Sequence, residues 1–325
     1  MKYTEKNSLK NKKILITGGC GFIGSHLVKR LLSLNARVFV FKRPGTDIWR
    51  IKDHTDKISF FNGDITNPLD VDRCIKTIAP DYIFHLAAYG VDSAQKDYIK
   101  AGNINIMGTL NIFNSLKYVD CKKIINMGSC AEYGDMQIKM KEDLCVKPSS
   151  IYGSTKACST ILSHQLAAEN HMDIVTLRPF GIFGEGEEPH KFFSYIILSI
   201  LKGQDVRLTP CQQYRDYCYV ENIIDAMIMS AENFNLKNEI LNVGTGASKP
   251  LKYYVDMIYK LTNSSLKPQY GALVYRRNEM WNPCPDISKI KSFLGWSPKI
   301  SLEEGLSKTI SWYEKNLSYY TKEIN

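Results

Sequence analysis

Thr17-Gly18-Gly19-Cys20-Gly21-Phe22-Ile23-Gly24 is the stretch on which the fold turns. An apolar run, Lys13–Thr17, precedes it, and a helical pattern follows in which Phe22, Ile23, Leu27, Val28, Leu31 and Leu32 share one stripe before Leu34. Gly18, Gly21 and Gly24 are spaced as T-G-x-x-G-x-x-G. The first glycine permits a tight turn, the second lets backbone N–H groups approach a pyrophosphate, and the third lets helix and strand pack closely. The positive end of the helix then faces the phosphates. This order of strand, glycine turn and helix predicts a dinucleotide site with Gly18, Gly21, Phe22, Ile23 and Gly24 against the cofactor.

Working outward, apolar runs recur at Arg37–Phe41, Ile58–Asn62, Tyr82–Leu86, Lys123–Met127 and Ile174–Leu177. Most are continuously apolar, as parallel strands covered on both faces are. Helical segments lie between them, including the long Ser149–Asn170. The alternation predicts an α/β fold, a Rossmann-type doubly wound parallel sheet. Beyond Gly184 the rhythm changes to a helix over 191–202, a strand Val206–Leu208, a helix over 221–233, a strand Glu239–Val243 and a helix over 250–262. These predict a smaller mixed α/β carboxy-terminal domain closing a cleft over the strand ends. Residues 1–180 are then the NAD(P)-binding domain, with 215–246 returning to it, and 181–325 mainly bind substrate.

The end of the second strand bears on the choice of dinucleotide. An NAD-selective site places Asp or Glu there for the ribose 2′-hydroxyl. The sequence reads Phe41-Lys42-Arg43-Pro44-Gly45-Thr46 instead. A carboxylate would repel a 2′-phosphate, whereas Arg43 grips one bidentately. NADP(H) is favoured, with NAD(H) left open. In Gly63-Asp64-Ile65, Asp64, with Ile65 beside it, is placed to bond the adenine amine and could equally cap a turn.

Tyr152 and Lys156, at i and i+4, are neighbours on one helix face. An ammonium beside a phenol favours phenolate, so Lys156 is expected to draw the Tyr152 pKa down. Tyr152 then moves a proton to or from a substrate oxygen, and Lys156 also holds the nicotinamide ribose. The fifth strand runs into Gly128-Ser129, which places Ser129 to share that oxygen.

Composition narrows the setting. The chain has 325 residues, 44% hydrophobic and 23% charged, at the globular average. Its longest apolar stretch after the first strand, Phe192–Leu201, is too short for a bilayer. The first residues are basic and polar, so a cytoplasmic protein with no membrane partner is expected. The nine cysteines show no C-x-x-C pair and no zinc spacing, so neither a metal nor disulfides are expected. The net charge of +9 is dispersed, so a solvated surface is the default reading and a polyanion site the minority one; an anionic small substrate suits either, and no nucleic-acid partner is expected.

Taken in order, these motifs together with His85-Leu86-Ala87-Ala88, Asn105-x-x-Gly108-Thr109, Ser129-Cys130-Ala131-Glu132-Tyr133-Gly134, Arg178-Pro179-Phe180-Gly181-Ile182-Phe183-Gly184, Arg215-Asp216-Tyr217 and Asn242-Val243-Gly244 resemble the extended short-chain dehydrogenases. The likeness runs from about residue 12 to 315 and is to the nucleotide-sugar epimerase/dehydratase/ketoreductase branch. It implies Ser129, Tyr152 and Lys156 as catalytic residues, and Leu86, Ala87 and Ala88 on the nicotinamide side, with Pro179 also against the cofactor. It implies a nucleotide-sugar substrate contacted by Ser129 and Cys130, with Arg215 and Arg277 on the diphosphate. A homodimer or homotetramer is implied as well.

The sequence also departs from the family. Dehydratases carry acids directly after the Ser or Thr, where this chain has Cys130 and Ala131. Glu132 stands one step late, and a one-residue shift at a strand end reverses side-chain direction. Gly181 stands where epimerases often have asparagine, and the epimerising acid and base roles that fucose-synthase-like enzymes give a Cys and a His are not carried over to Cys130 and His190. The reading is an oxidoreductase acting at carbon 4 of a nucleotide sugar, as ketoreductase or dehydrogenase. The alternative is a 4-epimerase, with a 4,6-dehydratase or a non-catalytic NADP-binding protein further off.

Overall fold

The computed structural model describes residues 8–92, 94–276 and 279–320. Strand β1 (Lys13–Thr17) leads through the glycine turn into α1 (Phe22–Ser33), and β2 (Arg37–Lys42) follows. A 3-10 segment, Trp49–Lys57, precedes β3 (Ile58–Asn62), α2 (Pro68–Ile78) and β4 (Tyr82–His85). Next come α3 (Tyr98–Gly102), a π turn over Asn103–Met107, α4 (Gly108–Leu116), β5 (Lys123–Met127), α5 (Ile151–Glu169) and β6 (Ile174–Pro179). The remainder contributes β7 (Gly181–Phe183), α6 (Phe192–Leu201), β8 (Tyr214–Arg215), β9 (Tyr217–Tyr219) and α7 (Val220–Glu232). It ends with β10 (Glu239–Val243), β11 (Lys249–Pro250), α8 (Leu251–Thr262), α9 (Ser288–Leu294) and α10 (Leu302–Lys315).

Seven strands form one parallel sheet in the order β10-β6-β5-β4-β1-β2-β3. The chain winds outward from β1 through β2 and β3, then crosses to β4 and winds the other way. That reversal leaves a crevice at the carboxyl ends of β1 and β4, where Thr17 is in register with both Phe41 and His85.

Burial on both faces explains the apolar runs. Ile14 and Ile16 point into a core with Leu27 and Leu31 of α1 and Ile223 and Met227 of α7. Leu15, between them, faces the opposite core with Val71, Ile75, Ile112 and Phe113. A further cluster around Phe183, Phe193, Ile197, Tyr254, Ile258 and Ile310 holds α6, α8 and α10 together as the smaller layer over the strand ends.

Buried Lys123 opens β5, and its ammonium donates to the carbonyls of Ser230, Asn233 and Leu236, the last at 2.8 Å. A cation there meets the negative end of α7. Burial pushes this lysine down to about 8.

Two details differ from the sequence reading. Val206–Leu208 forms no strand; Arg207 makes an isolated bridge to Gln269. The alternation is still meaningful, because Val206 and Leu208 are both buried in the smaller core, but no neighbouring strand is present to ladder with. The helix expected from Ser149 begins at Ile151, because the Ser150 side chain caps it by accepting from the Gly153 N–H at 3.1 Å. Among the described residues no helix is long and apolar enough to cross a membrane.

Candidate active site

The glycine turn is built for a phosphate. Gly18 has φ +73°, and a Cβ there would lie 2.8 Å from the Ala87 backbone nitrogen. At Gly24 a Cβ would lie 2.1 Å from the Gly18 carbonyl oxygen, so only glycine lets α1 start against the turn. Helix α1 has no side-chain cap and no acid in its first turn, so its leading N–H groups are left for an anion. On these grounds the turn fits a dinucleotide pyrophosphate.

Two cavities meet at this turn and share Gly18, Gly21, Leu86, Ala88 and Gln95. One, of about 450 Å³, has Ala87, Arg43, Asp64 and Ile65 in its wall. The other, of about 710 Å³, is lined by Phe22, Ile23 and Gly24 on one side and Pro179 on another. Ser129, Cys130, Tyr152 and Lys156 also line it. The residues singled out for cofactor and catalysis are thus gathered around one continuous cleft.

The Ser129 side chain lies close enough to the Tyr152 phenol to favour its ionised form. Ser129 Oγ in turn accepts from the Ala131 N–H at 3.1 Å, which fixes its rotamer. The expectation that Lys156 pulls the Tyr152 phenol down is not met. Burial pushes the phenol up, with only Ser129 opposing it, and Lys156 itself is pushed down to about 8 by its own burial. Burial dominates at both groups, so the Tyr152 phenol is held in its protonated form.

Asn105 on the π turn fixes the ground beside Tyr152. Its amide accepts from the Tyr89 N–H and donates to the Tyr89 carbonyl, both at 2.8 Å, and also donates to Thr155 Oγ1 at 2.8 Å. The loop after β4 is thereby tied to α5. His85, buried at the end of β4, bridges Thr17 Oγ1 at 2.7 Å and Thr109 Oγ1 at 3.0 Å. Burial first, and then Lys156, push it down to about 3, so it is a neutral linker.

Glu132 is fully buried and stays out of the cleft. Residues Cys130–Glu132 form a 3-10 turn, not a strand continuation, so the turn and not strand alternation sets its direction. Its carboxylate accepts from the Ser129 N–H at 2.8 Å and from Thr160 at 3.2 Å, and pairs with Arg178 Nε at 2.8 Å. Arg178 donates onward to the Tyr133 hydroxyl at 3.0 Å. No sequence spacing links Glu132 to Arg178; the pair follows from β5 lying beside β6.

Other expected residues are placed differently. Asp64 Oδ1 accepts from the Thr66 N–H and hydroxyl, both at 2.8 Å, so it caps a turn while lining the cofactor cavity. Arg215 pairs with Glu279 and donates to the carbonyls of Tyr214 and Met280. Arg277 lies outside the described residues. Cys130 lines the larger cavity, and burial pushes its thiol up to about 12.

Three residues escaped the sequence reading. Asp47 and Arg50 line the cofactor cavity, and Arg50 reaches the Gly186 carbonyl at 2.7 Å. Glu187 lines the larger cavity, with Ser129 and Tyr152. The only sequence signal for Asp47 was an acid a few residues past the second strand, and none marked the other two.

A model of the NAD dependent epimerase/dehydratase family matches residues 14–244. A relative from Methanocaldococcus jannaschii, named as a putative UDP-glucose 4-epimerase, is 30% identical over 313 residues, covering 93% of this chain and 99% of its own. The solved UDP-glucose 4-epimerase of Thermotoga maritima with UDP-glucose is similar at TM-score 0.87 and 26% identity, over 94% of this chain and 99% of that one. MoeE5 in complex with UDP-glucuronic acid and NAD is similar at TM-score 0.83 and 28% identity, again over 94% and 99%. The family match runs through both the glycine turn and α5, and the chain belongs to the NAD dependent epimerase/dehydratase family.

Proposed function

We propose that the protein is a nucleotide-sugar 4-epimerase that recycles its NAD(P) cofactor. The sequence alone put net oxidation or reduction at carbon 4 first and epimerisation second; relatives named as 4-epimerases favour the reverse order. The observation that carries the reading is the make-up of the catalytic cavity. Ser129, Tyr152 and Lys156 line it, while the acid nearest in sequence, Glu132, is locked onto Arg178.

Tyr152 exchanges a proton with the 4-oxygen, Ser129 shares a hydrogen bond to that oxygen, and Lys156 supplies charge beside them. A dinucleotide held at the Gly18–Gly24 turn would supply the hydride acceptor and donor for carbon 4. Inverting carbon 4 requires the hydride to return to the opposite face, so the sugar must turn within the cavity. Apolar walls from Val91, Phe180, Ile182, Phe192 and Phe193 hold no ring hydroxyl in place and leave room for that turn. A dehydratase needs a separate acid aimed at carbon 6. At the two positions after Ser129, where dehydratases carry theirs, Cys130, with its thiol pushed up to about 12, and Ala131 supply none.

Incubation with a panel of nucleotide sugars, read by mass spectrometry and NMR, tests this. Unchanged mass with inverted carbon 4 is expected. A two-hydrogen change would replace epimerase by reductase or dehydrogenase, and loss of water or no turnover would overturn the carbon-4 reading itself.

For the cofactor we propose a preference for NADP(H). Lys42, Arg43 and Arg50 line its cavity, and exposed Arg43 also borders the adjoining cleft of Lys100 and Asn103. Asp47 opposes them in the same wall, but its Oδ1 is engaged by the Trp49 N–H at 2.9 Å. NADPH is expected to bind about tenfold more tightly than NADH, and Arg43→Asp to reverse the order. Calorimetry showing NADH bound at least as tightly by the native protein would make NAD(H), present in the MoeE5 complex, the cofactor here too.

A further inference from the structure

The loop between β7 and α6, residues 184–191, is held from several sides. His26, on α1, donates from Nε2 to the Glu185 carbonyl at 2.9 Å. Arg50, in the 3-10 segment after β2, donates from Nε to the Gly186 carbonyl and from Nη2 to the Glu188 carboxylate, both at 2.7 Å. The Tyr313 hydroxyl of α10 donates to the Glu187 carbonyl at 3.1 Å. At the far end His190 pairs with Asp92, and the Lys191 ammonium donates to the Val91 carbonyl, each at 2.9 Å.

Two of these anchors belong to the elements that form the dinucleotide site. Helix α1 is the one whose leading N–H groups are left for the pyrophosphate. Arg50 lines the smaller cavity with Gly18 and Arg43. Burial pushes the Cys20 thiol up, and Lys42 and then Arg50 oppose it, so the Arg50 charge reaches into the glycine turn. The guanidinium lies over the Trp49 ring at 4.4 Å, which fixes its plane. One edge of it, Nε and Nη2, is given to the loop. Among the described residues Nη1 has no protein partner. The loop in turn walls the larger cavity, where Glu187, Glu188, His190 and Lys191 stand with Ser129 and Tyr152.

We propose that this loop couples the two cavities, with Arg50 as the positioning residue between them. The proposal rests on the dinucleotide and nucleotide-sugar readings above. A dinucleotide at the glycine turn steadies Arg50 and α1, and they steady the wall against which the nucleotide sugar binds. The loop is then already ordered when the sugar arrives, so less freedom is lost on binding it. Linkage makes the effect reciprocal, and bound sugar tightens the hold on the dinucleotide by the same factor. That suits an epimerase, in which the dinucleotide has to stay bound between two hydride transfers.

The test has two readouts. Hydrogen exchange read by mass spectrometry follows the amides of 184–191 with and without NADPH or NADH. Calorimetry measures nucleotide-sugar affinity in the same states, with UDP-glucose first and then its dTDP and GDP counterparts. In the native protein the dinucleotide should slow exchange over the loop and tighten sugar binding, each by about tenfold. Arg50→Lys keeps a charge at the cofactor cavity but has no fork to grip Gly186 and Glu188 together. At saturating dinucleotide its sugar affinity should differ from the dinucleotide-free value by less than about twofold. A merely structural arginine would weaken sugar binding equally in both states and leave the ratio as it was. Glu188→Gln breaks the same tie from the loop side and should lower the ratio too. Loop exchange or sugar affinity indifferent to the dinucleotide in the native protein overturns the proposal, as does a native ratio kept in both variants. Failure of both dinucleotides, or of every nucleotide sugar, to bind overturns the reading beneath, and the coupling with it. If the variants do not fold, the native ratios still decide.

Discussion

Tyr152→Phe is expected to lose turnover by about a hundredfold or more while leaving the fold and cofactor affinity close to native. The phenol oxygen is the only atom removed, and the ring keeps its place beside Gly90, whose added Cβ would lie 3.4 Å from Tyr152 Cβ. The hydroxyl lies beside Ser129 and is held protonated by burial, which suits it to act as an acid. Ser129 can still bond a substrate oxygen but has no comparable means of passing a proton on. The expected result is therefore a fall in kcat with KM little changed. Cofactor affinity, measured separately by fluorescence, distinguishes lost chemistry from lost binding. A variant turning over near the native rate would remove the proton-transfer role of Tyr152.

Glu132→Ala is expected to be the most damaging single change to stability. Glu132 is wholly buried and Arg178 is 3% exposed. Removing the carboxylate leaves a guanidinium inside the protein with Tyr133 as its remaining hydrogen-bond partner. Breaking one side of a buried pair costs about 3–5 kcal/mol. In a protein of this size that lowers Tm by on the order of 10 °C. Removing both charges, as Glu132→Leu with Arg178→Met, should cost less than Glu132→Ala alone, because no charge is stranded. A native-like Tm in Glu132→Ala, or a double variant worse than the single, would show that the pair is not what steadies the turn.

Much of the frame was legible from one dimension. Continuous apolar runs mark strands buried on both faces, and the glycine spacing marks the turn between β1 and α1, since each signal arises from neighbours in the chain. Tyr152 and Lys156 were legible for the same reason, being one helical turn apart. What could not be read depends on elements meeting in space. Glu132 finds Arg178 because β5 and β6 are adjacent, and Arg215 finds Glu279 across a loop. Glu187 enters the cavity because α10 buttresses its loop. The direction of the Tyr152 shift was misjudged for a related reason, as burial is a property of the whole site and not of a tyrosine–lysine spacing. Val206–Leu208 shows the converse, an alternating pattern satisfied by core packing without a ladder.

Strand β5 has a mechanical consequence for the site it serves. At its start, Lys123 is moored to three carbonyls at the end of α7. At its finish, the Ser129 N–H is held by Glu132. A rod anchored at both ends cannot slide along its axis without releasing one anchorage. The axial position of Ser129 is therefore inherited from the sheet, and its one remaining degree of freedom, rotation about Cα–Cβ, is checked by the Ala131 N–H. Misplacing a catalytic group by about 1 Å can cost on the order of a hundredfold in rate. The positional tolerance of the serine hydroxyl is thus set six residues away, by a lysine at the opposite end of the strand.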